Sequence, residues 1–179
     1  MGSNMQTSMA AGAASAPRNN MMAPNIFDPR TDGSDYYWYI ANPTNAGVSP
    51  LAPGATGNAS IQIDAGTDFY WIGTTIQADI SGAALEESTD VIPLVTVLIN
   101  DTGTSRNLMN APVPLGSLAG DGKRPYRLVR PRLFRANSII NLTFTSYVAT
   151  GTSYTNLYLT LHGYRRLVTP PNATNMAGS

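Results

Sequence analysis

The chain has no cysteine, which excludes disulfides and thiolate metal sites. It has one histidine, His162, so it cannot by itself assemble the His-rich ligand sets of zinc or iron centres. Charge is scarce as well. Asp, Glu, Lys and Arg make up 12% of the 179 residues, about half the usual share for a soluble domain. Surfaces so poor in charge are expected to be covered by other protein. No run of 18 consecutive apolar residues occurs, so no transmembrane helix and no membrane partner are expected. The start of the chain lacks a basic segment followed by a long apolar run, and no signal peptide is expected.

The charge that is present is divided. Residues 1–121 carry three basic and all eleven acidic residues, a net −8. Residues 122–179 carry eight basic and no acidic residues, a net +8. Such asymmetry suits contact between copies or docking on a charged neighbour. It also suits local neutralisation, if the two portions interleave in space.

Residues 1–34 are rich in Met, Ala, Ser, Asn and Gly, with Met5, Met9, Met21 and Met22 as adaptable apolar contacts. They read as an extended N-terminal arm, flexible or docked on a partner. Residues 35–168 read as the body and 169–179 as a C-terminal tail. In the body the dominant signal is period-two alternation. "DYYWYI" gives a strand over 36–40, whose aromatic cluster is expected to be buried in the core or an interface. "ASIQIDAG" alternates through Ile61 and Ile63. "TDFYWIGTTIQADI" gives a strand with Phe69 and Trp71 on one face and Tyr70, Ile72 and Ile76 on the other. "VIPLVTVLIN" sets Val95, Val97 and Ile99 on one face, with Pro93 marking an edge or bulge at its start. "NDTGTSR" reads as a hairpin turn. Near the end, Ile140, Leu142 and Phe144 alternate with polar residues, as do Leu157, Leu159 and Leu161. With "VATGTS" between them, these two strands read as a β-hairpin. Short strands, frequent turns and no long amphipathic helix predict an all-β fold, an antiparallel β-sandwich. A jelly roll is the commonest eight-strand form, and an immunoglobulin-like sandwich is the competitor. Strand number alone does not separate them.

Chemistry is thinly supported. His162 falls at an outward strand position, as an exposed histidine. Asp64, Asp68, Asp101 and Asp121 lie within two residues of a glycine, where turns favour Asp, and none has the spacing of a calcium loop. "GSLAGDGKRP" has the wrong spacing for a phosphate loop, and Pro125 would block its helix. No catalytic residue, cofactor or metal is assigned.

The densest charge lies in "GKRPYRLVRPRLFRANS". Six basic residues, Lys123, Arg124, Arg127, Arg130, Arg132 and Arg135, stand there with no acid among them. Nucleic-acid binding needs such charge on one surface. Pro125 and Pro131 instead describe an extended edge segment, with charge on both sides. Five of the six are arginines, which suit bidentate carboxylate contacts. Arg127, Arg130, Arg132 and Arg135 are therefore candidate partner contacts, facing carboxylates within or between subunits, and nucleic acid is not expected.

The order of these elements resembles a group of tailed-bacteriophage virion structural proteins. The likeness rests on the hairpin residues Ile99, Asp101, Arg106 and Leu108, the "PVPL" step at 112–115, then Leu128, Pro131, Phe134, Ser138 and Ile140. It ends at Leu157, Leu159, Gly163 and Arg165. It covers roughly residues 68–167. It implies a jelly-roll-like head accessory protein, a cement or decoration protein without enzymatic activity. Such a protein is made in the host cytoplasm and carried in the virion. Its partners would be the major capsid protein, or a neighbouring virion protein, and copies of itself as a dimer or trimer. Another virion component (neck, tail or fibre) and a carbohydrate-binding β-sandwich are the alternatives.

Overall fold

In the computed structural model the described residues are 34–45, 49–80, 93–121 and 123–168. The Met-rich arm, with Met5, Met9, Met21 and Met22, and the tail from 169 lie outside them. So does the polar connection at 81–92.

Alternating apolar residues build two antiparallel sheets. Sheet A contains β1 (Ser34–Ala41), β9 (Tyr154–Leu167), β3 (Thr67–Ile80) and β7 (Tyr126–Phe134), in that spatial order. Sheet B contains β2 (Thr56–Gln62), β8 (Ile139–Ser146), β4 (Val95–Asp101) and the short β5 (Arg106–Asn107). The equally short β6 (Val113–Pro114) also pairs with β4. One helical turn, α1 (Leu115–Leu118), follows β6. The chain crosses between sheets at most connections, and its first and last described strands lie side by side. This strand order is that of a jelly roll, and the all-β sandwich read from the sequence is the observed fold.

The core lies between the sheets. Sheet A contributes Tyr39, Phe69, Trp71, Phe134, Leu157, Leu159 and Leu161. Sheet B contributes Ile61, Val95, Val97, Ile99, Ile140, Leu142 and Phe144. Burying each such side chain fully stabilises the fold by about 1.5–3 kcal/mol.

Two details depart from the sequence reading. β8 and β9 are not a hairpin. β8 pairs with β2 and β4, whereas β9 pairs with β1 and β3. The "VATGTS" turn carries the chain from one sheet to the other. A hairpin would leave both apolar faces on one side of one sheet. The crossing instead sets the leucine row of β9 against the Ile140, Leu142, Phe144 row of β8.

The second departure is in β3. Ile72 is an extra residue between Trp71 and Gly73, opposite a single step from Gly163 to His162 on β9. One inserted residue reverses the inside–outside phase. Thr74 and Ala78 are therefore buried, and Ile76 packs against the core rather than pointing out. The Trp71 indole N–H holds the bulge by donating to the Gly73 carbonyl at 2.7 Å and the Thr74 hydroxyl at 3.1 Å.

The expected turn between β4 and β5 is present. Buried Asp101 accepts from the Gly103 backbone N–H at 3.0 Å and from the Thr104 hydroxyl at 2.8 Å. Asp101→Ala leaves both donors without that acceptor. The expected loss is about 1–3 kcal/mol in urea unfolding.

Candidate functional site on the outer face of sheet A

The alternation of β1 sends Tyr39 and Ala41 inward and Tyr36, Trp38 and Ile40 outward. These three are 43%, 53% and 60% exposed. The expectation that this aromatic cluster is buried therefore fails for its outward half. β1 is an edge strand whose outer face has no second layer over it among the described residues, so alternation alone exposes Trp38. Tyr36 packs edge-to-face on Trp38 with ring centres 4.7 Å apart, and on Tyr164 at 5.4 Å.

His162 sits at the middle of this face, opposite Trp38 on β1 and Gly73 on β3. It is half-buried, not free in solvent. Its Nδ1 is 3.2 Å from the Tyr36 hydroxyl and its Nε2 is 2.7 Å from the Thr75 hydroxyl. In a neutral ring one nitrogen donates and the other accepts, and a hydroxyl serves either role. Burial pushes the His162 pKa below its ordinary value, and the Arg127 guanidinium pushes it further the same way. Burial raises the Tyr36 phenol, helped by Tyr164 and opposed by Arg127. Both groups are neutral at pH 7.

A depressed histidine pKa has a signed consequence. Below the unfolded value near 6.5 the unfolded chain takes up a proton that the folded chain refuses. Stability carried by neutral His162 is therefore complete above about pH 6.5 and declines as pH falls toward the folded pKa. Thermal melts between pH 7.5 and 5 are expected to show this decline, and His162→Gln should remove that part of it.

Two irregularities open a groove beside this histidine. On β7, residues 128–131 stand opposite the single residue Ile72, because Arg127 pairs with Gly73 and Arg132 with Trp71. The stretch swings outward, and Val129 is fully exposed. Gly73 keeps the floor low: a Cβ there would lie 2.8 Å from the Tyr126 carbonyl oxygen. The resulting cavity of about 140 Å³ is lined by Tyr36, Ile72, Gly73, Pro125, Arg127, His162 and Tyr164. It offers aromatic faces, a guanidinium and a hydrogen-bonded neutral imidazole, which is equipment for binding.

The basic strip divides among different surroundings. β7 lies at the edge of sheet A, as Pro125 and Pro131 predict. Arg127 lines the groove. Arg130 is exposed on the outward stretch. Arg132 is half-buried opposite Trp71, its Nε enclosed without a hydrogen-bond partner. Arg135 turns back to buried Asp68, at 3.0 Å, whose other oxygen accepts from the Ala136 N–H at 2.9 Å. At the same end of the sheet, Arg165 of β9 pairs with Asp64 at 2.8 Å and lies over the Tyr37 ring at 3.7 Å. Both ion pairs join an acid of the negative portion to an arginine of the positive one, so part of the charge split cancels locally. Arg127, Arg130 and Arg132 form no ion pair among the described residues. Asp64 and Asp68 are thus held by arginines, and no metal-binding cluster occurs among the described residues.

Sequence reasoning singled out Arg127 but missed Tyr36, Ile72 and Tyr164 as its neighbours. The outward positions of β1 were legible from alternation; the bulges that bring β7 to them were not. The chain matches no known family model, and comparison with curated proteins and solved structures finds no similar one.

Proposed function

We propose that this chain is a non-enzymatic structural protein of a phage virion. In this reading it is a cement or decoration protein that stabilises the head by binding the major capsid protein and copies of itself. The observation that carries the reading is the outer face of sheet A, where Tyr36, Trp38 and Ile40 stand exposed and Tyr36 shares a groove with Arg127. Trp, Tyr and Arg are the residues that dominate binding energy at protein interfaces. Low overall charge and the jelly-roll strand order support the same role. Binding only the assembled head stabilises it by mass action, without any chemical step.

The test is attachment of purified chain to heads that lack it. Saturable attachment is expected, with a loss of about tenfold or more for Trp38→Ala, as for a hot-spot residue. Equal attachment by both proteins refutes the role given to this face. A second reading, a carbohydrate-binding sandwich, is favoured by the exposed Trp38 and Tyr36 rings. It predicts a glycan-array hit that Trp38→Ala abolishes.

A further inference from the structure

The outer face of sheet A carries opposite charges at two levels along its strands. Arg127 lies near the middle, opposite Gly73. Asp79 lies toward one end, opposite Asn156, whose amide donates to its carboxylate at 3.2 Å. Gly73 and Asp79 are six positions apart on one strand, about 20 Å at roughly 3.3 Å per residue. Between them the outward positions are uncharged: Thr75 and Gln77 on β3, Tyr158 and Thr160 on β9, and Ile40 on β1 beside Thr160. Neither Arg127 nor Asp79 has an ion-pair partner among the described residues, whereas Asp64 and Asp68 have theirs.

We infer that a second copy of this chain covers this face. Two sheets A pack face to face about a two-fold axis that crosses the strands near Thr160, setting Arg127 of each protomer against Asp79 of its partner. The inference rests on the reading of this face as an assembly surface, and it names the occupant. An interface built on a two-fold axis must be self-complementary, with residue i meeting j and j meeting i. One cation and one anion placed either side of an uncharged centre meet that condition. A two-fold axis running along the strands would keep each residue at its own level, so Arg127 and Asp79 would stay about 20 Å apart along the strands. Near the axis, Ile40 of the two protomers would approach each other, removing from water the most exposed apolar side chain of β1. Trp38 and Tyr36 lie farther out on the same face. The one-strand lateral offset between β7, which carries Arg127, and β3, which carries Asp79, is about 4.8 Å, within the reach of an arginine side chain.

Other occupants fit less well. Peptides that add to sheets use a free strand edge, but the centre of this face is floored by β9 and β3, each paired on both sides. A saccharide needs several free polar groups, and both nitrogens of His162 already face hydroxyls.

The test is sedimentation equilibrium on the full chain, with circular dichroism to confirm that each variant is folded. The wild type is expected to be a dimer at concentrations of about 1–100 µM, the range of moderate interfaces. Arg127→Asp and Asp79→Arg are each expected to weaken the dimer at least about tenfold, because each sets like charges together. Arg127→Asp combined with Asp79→Arg restores the pair in reverse and should recover most of the loss. A monomeric or trimeric wild type overturns the inference. So do single reversals that leave the dimer unchanged, or a folded double variant no better than the singles. The virion reading fails separately, by absence of the chain from particles. A monomeric chain that attaches to heads would overturn the dimer and leave that reading standing.

Discussion

Gly163→Ala is expected to cost about 3 kcal/mol or more, at the upper end of what overpacking does in a filled core. Gly163 lies on β9 between Tyr37 of β1 and Trp71 of β3. A Cβ built there would collide with the Tyr70 backbone oxygen and lie 2.6 Å from Cζ of Phe69. Neither neighbour can yield cheaply. The Tyr70 oxygen belongs to a strand bonded on both sides, and the Phe69 ring is fully buried. The methyl can be accommodated only by parting β9 from β3, the longest strand pair among the described residues. For a chain of this size each kcal/mol lowers Tm by about 2–4 °C, so a fall of roughly 6–12 °C is expected in a thermal melt. A loss under about 1 kcal/mol, the range of well-tolerated core changes, would show that this strand register is wrong.

Phe69→Ala is expected to cost about 3–5 kcal/mol, the usual range for emptying a buried phenylalanine site. Its ring meets Tyr39 edge-to-face at 4.8 Å and stacks on Phe134 at 6.5 Å, and Phe134 in turn lies 6.1 Å from Trp71. This aromatic row ties β1, β3 and β7 together across sheet A. Its loss leaves a cavity between strands whose backbones are fixed by their ladders, so collapse is limited. Because Phe69 is one of the two groups that exclude a methyl at 163, the two substitutions are coupled. The double variant Gly163→Ala, Phe69→Ala should lose less than the sum of the singles. Urea unfolding of the four proteins measures this, and strict additivity would mean that the ring and the glycine do not meet.

What the sequence made legible was local. The alternation in "SIINLTF" and "NLYLTLHG" identifies β8, β9 and their buried residues correctly. Pro125 and Pro131 place β7 at an edge, since proline removes a ladder donor. What failed was long-range. The turn between β8 and β9 has the same residues whether the chain folds back within a sheet or crosses to the other, and only the partner strands decide. Strict alternation put Ile76 on the face opposite Phe69 and Trp71; the extra residue Ile72 returns it to their side, against the core, and a bulge leaves little trace in residue type. The site suffers most from this. Its groove exists because bulges in β3 and β7 face each other, and its charges are sorted by pairs such as Asp64 with Arg165, which are 101 positions apart. Arg135 meets the carboxylate of Asp68 within the chain, and nothing local distinguishes it from Arg127.

The proposed role of this jelly roll in virion assembly is tested most directly by the copy number of the chain in purified particles. Quantitative mass spectrometry should find the chain in washed virions at many copies, in a fixed ratio to the major capsid protein. Its absence from washed particles would contradict that role.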